Sequence, residues 1–450
     1  MSGVRGEVQS DVQGIVSSRA LRGSMLSFSG DPFAHDLAEV MHYEEDALIW
    51  IEAGRIRDVG PAARLAAQLP PDLEVVEYRD SLILPGFVDC HVHYPQTRMI
   101  GAFGERLVDW LEKYAFPAEQ SFGDAAHGRE AARVFLAECL RAGTTTAAVY
   151  CTVHPESVEA FFEESHRLDM RNIAGKLLMD RNAPEPLLDT PQRGYDESKK
   201  LLERWHGKGR QLYGITPRFV PTSTPEQLEM AGALWREFPG SYLQSHVSES
   251  VAELQWVAEL HPESSGYLDL YDRHGLLGPR SIYAHAVHLS EAELRRCHEA
   301  GSAIAHCPSS NFFLGSGCFD LANAKQSARR LRVGLGTDVG AGTSLSLLET
   351  LNEAYKAAQL CGASLGPAHA FYLATRGGAE ALCLEDRVGS IAPGMEADLV
   401  VLDLRSTPLI DYRMRYVEDL LETLFVQLTL GDDRAIRATY LAGALAHERE

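Results

Sequence analysis

What the sequence lacks narrows the reading first. The 450-residue chain contains no run of about 18 consecutive apolar residues, so no membrane-crossing helix is expected. Its first twenty residues lack a basic start followed by an apolar stretch, and no secretory leader is expected. Positive charge is scarce: 42 Lys and Arg stand against 63 Asp and Glu, a formal net charge of -21. A nucleic-acid surface needs the opposite field, so such a partner is not expected. The eight cysteines include no CxxC pair, which fits reduced, buried thiols in a cytoplasmic protein. No GxGxxG or Walker-type glycine loop precedes a helix-like stretch, which disfavours a nucleotide-binding sheet.

What is present is a hydrophobic fraction of 45%, ample for a large core. Residues 1–20 are polar and small, and read as loosely attached. Between 23 and 80 lie short β-like runs. Among them, Ala47-Leu48-Ile49-Trp50-Ile51 and Ile56-Arg57-Asp58-Val59 flank a Gly54 turn as a hairpin. The runs at 397–403 and 438–443 echo them, so a small β-sandwich built from both chain termini is expected. The middle alternates strand-like and helix-like stretches, the βα pattern of a parallel sheet. Eight strands are expected, at 82–93, 144–151, 173–180, 211–219, 241–249, 281–288, 302–307 and 331–338. Eight favour an α/β fold with a closed (β/α)8 TIM-type barrel over an open sheet. The division expected is 1–82 and 392–450 for the two parts of the sandwich, with the barrel at 83–391.

In such a barrel, polar residues at strand C-termini converge on one face. The first strand ends in His91-Val92-His93, and period-two alternation puts both imidazoles on one side. The fifth ends in His246-Val247-Ser248-Glu249, the sixth carries His285, and the eighth ends in Thr337-Asp338. A lone strand-end histidine is more often a hydrogen-bonded core residue than a ligand. Coincidence at four strand ends together is a poor explanation. Imidazole with carboxylate suits Zn²⁺, with Fe²⁺ or Mn²⁺ as alternatives.

The run Pro85-Gly86-Phe87-Val88-Asp89-Cys90-His91-Val92-His93 resembles the opening motif of the amidohydrolase superfamily, and the tail at 389–399 resembles its closing one. Within the superfamily, several stretches resemble the guanine deaminases. They include His93-Tyr94-Pro95-Gln96, Trp110-Leu111-Glu112-Lys113-Tyr114, Thr216-Pro217-Arg218-Phe219, Ser245-His246-Val247-Ser248-Glu249 and His306-Cys307-Pro308-Ser309-Ser310-Asn311. Cys90, where Thr is commoner, and Gly340-Ala341-Gly342 depart from the pattern without touching an expected ligand. Binuclear relatives bridge two metals with a carbamylated lysine at the end of strand four. Here that strand ends in Arg218, which cannot play the part. Lys176, on strand three, reads as a salt-bridge residue, so one metal ion per chain is expected.

The resemblance implies hydrolytic deamination of guanine to xanthine and ammonia. It implies a metal held by His91, His93, His246 and Asp338. Glu249 would take the water proton and pass one to the ring, Asp338 would carry the second proton, and His285 would orient the nucleophile. Substrate contacts are expected from His93, Gln96, Arg218, Phe219, His246, Glu249 and Asp338, with apolar walls from Trp110 and the Phe116 region. The same metal site on another aminated heterocycle, such as 8-oxoguanine or a triazine, is the nearer alternative. A silent scaffold barrel is a remote one, since it should have lost ligands that all survive here. His306, ending the seventh strand, reads as a structural or surface residue, with the far side of the pocket as its alternative. The partners expected are a small purine and, by the resemblance, a second copy in a homodimer.

Overall fold

The computed structural model describes residues 18–104 and 106–449. Most of the 1–20 segment therefore lies outside the described residues, and Arg19 already opens a strand.

The strands in chain order are β1 (Arg19–Phe28), β2 (Met41–Glu52), β3 (Arg55–Pro61), β4 (Glu74–Pro85), β5 (Phe87–His93), β6 (Thr144–Tyr150), β7 (Arg171–Gly175), β8 (Leu177–Leu178), β9 (Leu212–Pro217), β10 (Tyr242–Val247), β11 (Ser281–His285), β12 (Ala303–His306), β13 (Arg332–Leu335), β14 (Leu399–Asp403), β15 (Ile436–Leu441) and β16 (Ala444–Glu448). Both chain ends contribute to one mixed sheet in the order β16-β15-β14-β4-β1-β2-β3. The β2–β3 hairpin turns at Gly54, whose φ of 77° suits glycine. The parallel sheet runs β13-β12-β11-β10-β9-β7-β6-β5, with the two-residue β8 also pairing β9. Every residue of β5, β6 and β7 is buried, as expected of parallel strands covered on both faces. β13 meets β5 through two backbone bonds just past its end: Asp338 N–H to His91 O and His93 N–H to Val339 O, each 2.9 Å. Eight parallel strands thus come round to a near-closed barrel, and its seam lies among the ligand candidates.

The single strand expected at 82–93 is two. Pro85 ends β4 in the mixed sheet, Gly86 N–H bonds Asp398 O, and Phe87 starts β5 in the barrel. A Cβ on Gly86 would lie 2.2 Å from Thr145 Oγ1, so the crossing passes where only glycine fits. Apolar residues on both sides of the crossing hide it in the sequence.

The helices between strands carry clear start signals. Ser290 and Glu293 form a capping box on the helix Glu291–Ala300, which stops at Gly301 in the left-handed region. Thr224 caps Pro225–Glu237 with proline in the first turn. The mixed sheet is tied to the barrel by buried charges. Arg171 Nε donates to Glu396 Oε2 (2.9 Å), and Arg210 Nη2 donates to the same oxygen (2.8 Å). The tail motif around Glu396 and Asp398 therefore does structural work at this junction, remote from the strand C-termini.

Candidate active site

The strand ends do converge. β5 presents His91 and His93, and β10 presents His246. Asp338 follows β13, and His285 closes β11. His93 Nε2 lies 3.3 Å from His91 Nε2 and 3.2 Å from His246 Nε2. Asp338 Oδ1 lies 3.2 Å from His91 Nε2 and 3.5 Å from His93 Nε2. His91, His93 and His246 form one compact ligand set, and His91, His285 and Asp338 another.

The donor set can be tested against a metal. Zinc–nitrogen bonds of about 2.0–2.1 Å in a tetrahedron put neighbouring nitrogens roughly 3.3 Å apart, which matches these spacings. The His246 Nδ1 faces the Arg218 carbonyl at 2.6 Å. A carbonyl only accepts, so Nδ1 carries the proton and the Nε2 lone pair faces the cluster. Burial, reinforced by the neighbouring imidazoles, drives His93 and His246 well below the usual histidine range, and His91 is also lowered. Neutral imidazoles with converging lone pairs repel one another unless a cation lies among them, so these residues fit a divalent metal.

The acid–base groups differ sharply. Burial alone would raise Asp338, but His91, His285 and His246 outweigh it and bring its carboxyl down to about 2. Glu249 is pushed up by burial, which outweighs the lowering by His285; the Asp338 charge adds to the rise and the Ser316 hydroxyl slightly offsets it. Its Oε1 accepts from Ser316 Oγ (3.0 Å), and its Oε2 lies 3.6 Å from His285 Nε2. Burial works to lower His285, yet Glu249, Asp338 and Asn311 together raise it. Asn311 Oδ1, 2.9 Å from His285 Nδ1, turns the Nε2 face toward Glu249 and Asp338. His285 (φ 70°), Asp338 (φ 50°) and Ser248 (φ 49°) all lie in the left-handed region, a strain of the kind that gathers where side chains must be aimed.

Above this set opens a cleft of about 410 Å³. His93, Gln96, Arg218, Phe219, His246, Glu249, His285 and Asp338 supply its polar and aromatic lining, and Leu107, Trp110, Leu111, Leu314 and Ala341 its apolar one. One expectation changes, and the structural reading of His306 holds. Phe116 is not on the cleft but lies under Arg218, the guanidinium 5.3 Å from its ring centre. His306 is buried against Phe319 (ring centres 5.1 Å) and does not line the cleft. Lys176 is buried in an ion pair with Asp189, and 3.4 Å from Glu197.

Four residues near the site were not singled out in the sequence. Asn311 and Ser316 act on His285 and Glu249 as described. Asp89 Oδ1 accepts from the backbone N–H of His91 and of Thr337 (both 3.1 Å), bridging the barrel seam. Its spacing two residues before His91, on the same strand face, was a usable signal. Glu119 joins Gln96 to Arg218, and nothing local in its sequence marks it.

The Amidohydrolase family profile matches residues 82–444. Guanine deaminase from Escherichia coli is 48% identical over 434 residues, covering 96% of this chain and 98% of the relative. The solved E. coli guanine deaminase superposes with a TM-score of 0.94 at 47% identity, covering 96% of this chain and 100% of that one. The guanine deaminase from C. acetobutylicum, solved with guanine bound in its active site, gives 0.84 at 27% identity, over 95% and 99%.

Proposed function

This chain belongs to the amidohydrolase family, and we propose that it hydrolyses guanine to xanthine and ammonia. The observation that carries this reading is the cluster of His91, His93, His246 and Asp338 below a cleft lined by Gln96, Arg218 and Phe219. One zinc ion per chain is the metal we infer, on the spacing of the nitrogen donors. Such an ion supplies Lewis acidity that makes water a competent nucleophile near neutral pH.

The side chains divide the remaining work. Water adds at the purine carbon bearing the exocyclic amine. Glu249, whose carboxyl is held above its ordinary range, accepts a proton from that water and delivers it to the adjacent ring nitrogen. Asp338, ionised and facing the imidazoles, takes the second water proton and hands it to the amine, which leaves as ammonia. His285, raised by its carboxylate neighbours, donates to the attacking oxygen and orients it. The guanidinium of Arg218 offers donors to the purine carbonyl oxygen, Gln96 offers an amide, and the Phe219 backbone completes the edge. The balance is guanine plus water giving xanthine plus ammonia, with no redox partner.

Two further readings go with this one. The free thiols fit a cytoplasmic setting. Exposed Leu409, Tyr412, Tyr416 and Leu421 support a self-associating face and hence a homodimer.

The deciding assay is ammonia release from guanine, with adenine, cytosine, 8-oxoguanine and ammeline in parallel, on protein of known metal content. Selective guanine turnover with about one zinc per chain is expected. Metal-loaded protein that leaves guanine intact would overturn the substrate assignment while keeping the hydrolase.

A further inference from the structure

The geometry points to Glu119 as a positioning and specificity-determining residue that sets the pattern of donors and acceptors which Gln96 and Arg218 offer to the substrate. This inference rests on the reading of Gln96 and Arg218 as the guanine-edge contacts. Glu119 ends the short helical turn Phe116–Glu119, which folds over the barrel mouth after β5, and it is fully buried. Its Oε1 accepts from Gln96 Nε2 at 3.0 Å, and its Oε2 accepts from Arg218 Nη1 at 2.6 Å. Gln96 and Arg218 are themselves almost wholly buried.

A carboxamide can present either end, because its oxygen and nitrogen are nearly the same size. Here neither end is free to exchange. Glu119 can only accept, so it fixes the Gln96 nitrogen. On the other side the Gly340 N–H can only donate, and it fixes the Gln96 oxygen at 3.2 Å. Gln96 is left with one N–H and part of its oxygen to offer a ligand, in a set orientation. Gly340 can come this close because it has no side chain: a Cβ there would sit 2.8 Å from the main-chain oxygen of Gln96 and 3.2 Å from its Cβ.

Arg218 is held in the same way. Glu119 takes one of its five N–H groups, and the Phe116 ring lies under the guanidinium. The remaining donors are aimed rather than mobile. Glu119 also cancels the Arg218 charge, so the pair presents a neutral, directional set of donors. That suits an uncharged lactam purine over an anion, because a buried unpaired guanidinium would favour any anion that entered. Glu119 does not line the cleft and is not a catalytic residue; it acts through the two side chains it holds.

The test is Glu119→Gln, which keeps shape while removing charge and two-sided acceptance, with Glu119→Asp as the variant that keeps the charge. Wild type and Arg218→Ala are run beside them, with zinc content and thermal midpoint measured for all. The expected result for Glu119→Gln is a KM for guanine raised tenfold or more, kcat within about threefold, and full zinc content. The preference for guanine over 2-aminopurine as a competing ligand, which lacks the carbonyl oxygen, should shrink about tenfold. Glu119→Asp should recover part of both. Should Glu119→Gln be insoluble, the same readouts on Glu119→Asp decide: a KM rise with kcat held supports the role. Unchanged KM and unchanged selectivity would overturn the inference. So would a matched fall in kcat and zinc content, which marks a structural part only. Wild type inert on guanine, or Arg218→Ala with unaltered KM, would instead bring down the substrate reading and this inference with it.

Discussion

Replacing Glu249 by glutamine isolates the proton chemistry from everything else in the site. The amide has nearly the shape of the carboxyl and can still accept from Ser316 Oγ, which lies 3.0 Å from Oε1. Glu249 belongs to neither ligand set, so the ions held by His91, His93, His246 and Asp338 should be retained. What goes is the capacity to take a proton from water and return it to the ring. Each general acid–base role is worth about 10²–10⁴-fold. One residue filling both roles puts the expected loss in kcat at about 10³-fold or more, roughly 4 kcal/mol of barrier at 1.36 kcal/mol per tenfold. KM should change far less than kcat, because Gln96, Arg218 and Phe219 keep their proposed contacts and glutamine can still hydrogen-bond the ring where Glu249 did. The assay is steady-state ammonia release on protein whose zinc has been quantified. Activity within tenfold of wild type at full zinc content would remove Glu249 from the proton path. Loss of zinc together with activity would recast it as part of the metal shell.

Two other outcomes follow from the buried charges. Glu253 is pushed up to about 7, first by burial and then by neighbouring Glu249, against an ordinary value of 4.5. A carboxyl raised in the folded state binds its proton more tightly there, so this stabilisation is full below the ordinary value and is lost as pH rises through about 7. Wild type should therefore lose up to about 3 kcal/mol relative to Glu253→Gln between pH 5 and pH 8 in urea titrations. A difference constant with pH would refute the raised value. Removing metal with a chelator should abolish activity and lower the thermal midpoint, because the ligands come from β5, β10 and the segment after β13, across the barrel seam. A ligand present at 1,000 times its dissociation constant stabilises by about 4 kcal/mol. Zinc should restore both properties, and full activity in metal-free protein would overturn the metal assignment.

The parts of the site written in short sequence spacings were legible, and those made by the folded chain were not. His91 and His93 could be read together because a buried parallel strand alternates its faces with period two. His246, His285 and Asp338 could be read because βα alternation marks strand ends. Strand lengths were overrun where a polar residue turns the chain. The 241–249 strand stops at Val247 because Ser248 enters the left-handed region, and 281–288 stops at His285 for the same reason. Apolar continuity hid the crossing at Gly86 between two sheets. Glu119 lies 23 positions from Gln96 and 99 from Arg218. Its neighbours read as an ordinary helix turn, so only the folded arrangement brings the three together. His306 shows the limit of strand-end reasoning, since a histidine at the end of the seventh strand packs against Phe319, as its structural reading expects.

Two carboxylates at one barrel mouth are driven in opposite directions by their surroundings. Glu249 and Asp338 are both buried, and burial pushes both upward. Their neighbours decide the difference: Asp338 faces His91 and His285, whereas Glu249 meets a hydroxyl, His285 and the Asp338 charge. Environments that drive two titratable groups apart are what a site needs to run base and acid steps at one pH. Arg218 touches both the imidazole cluster and the cleft. Its carbonyl oxygen accepts from His246 Nδ1 at 2.6 Å, and its guanidinium donates to Glu119 at 2.6 Å. A backbone atom of Arg218 therefore orients His246, while its side chain reaches the cleft that Gln96 and Phe219 also line. The side chain can therefore be perturbed through Glu119 while the backbone carbonyl keeps its bond to His246, whereas a shift of the backbone would move both ends together.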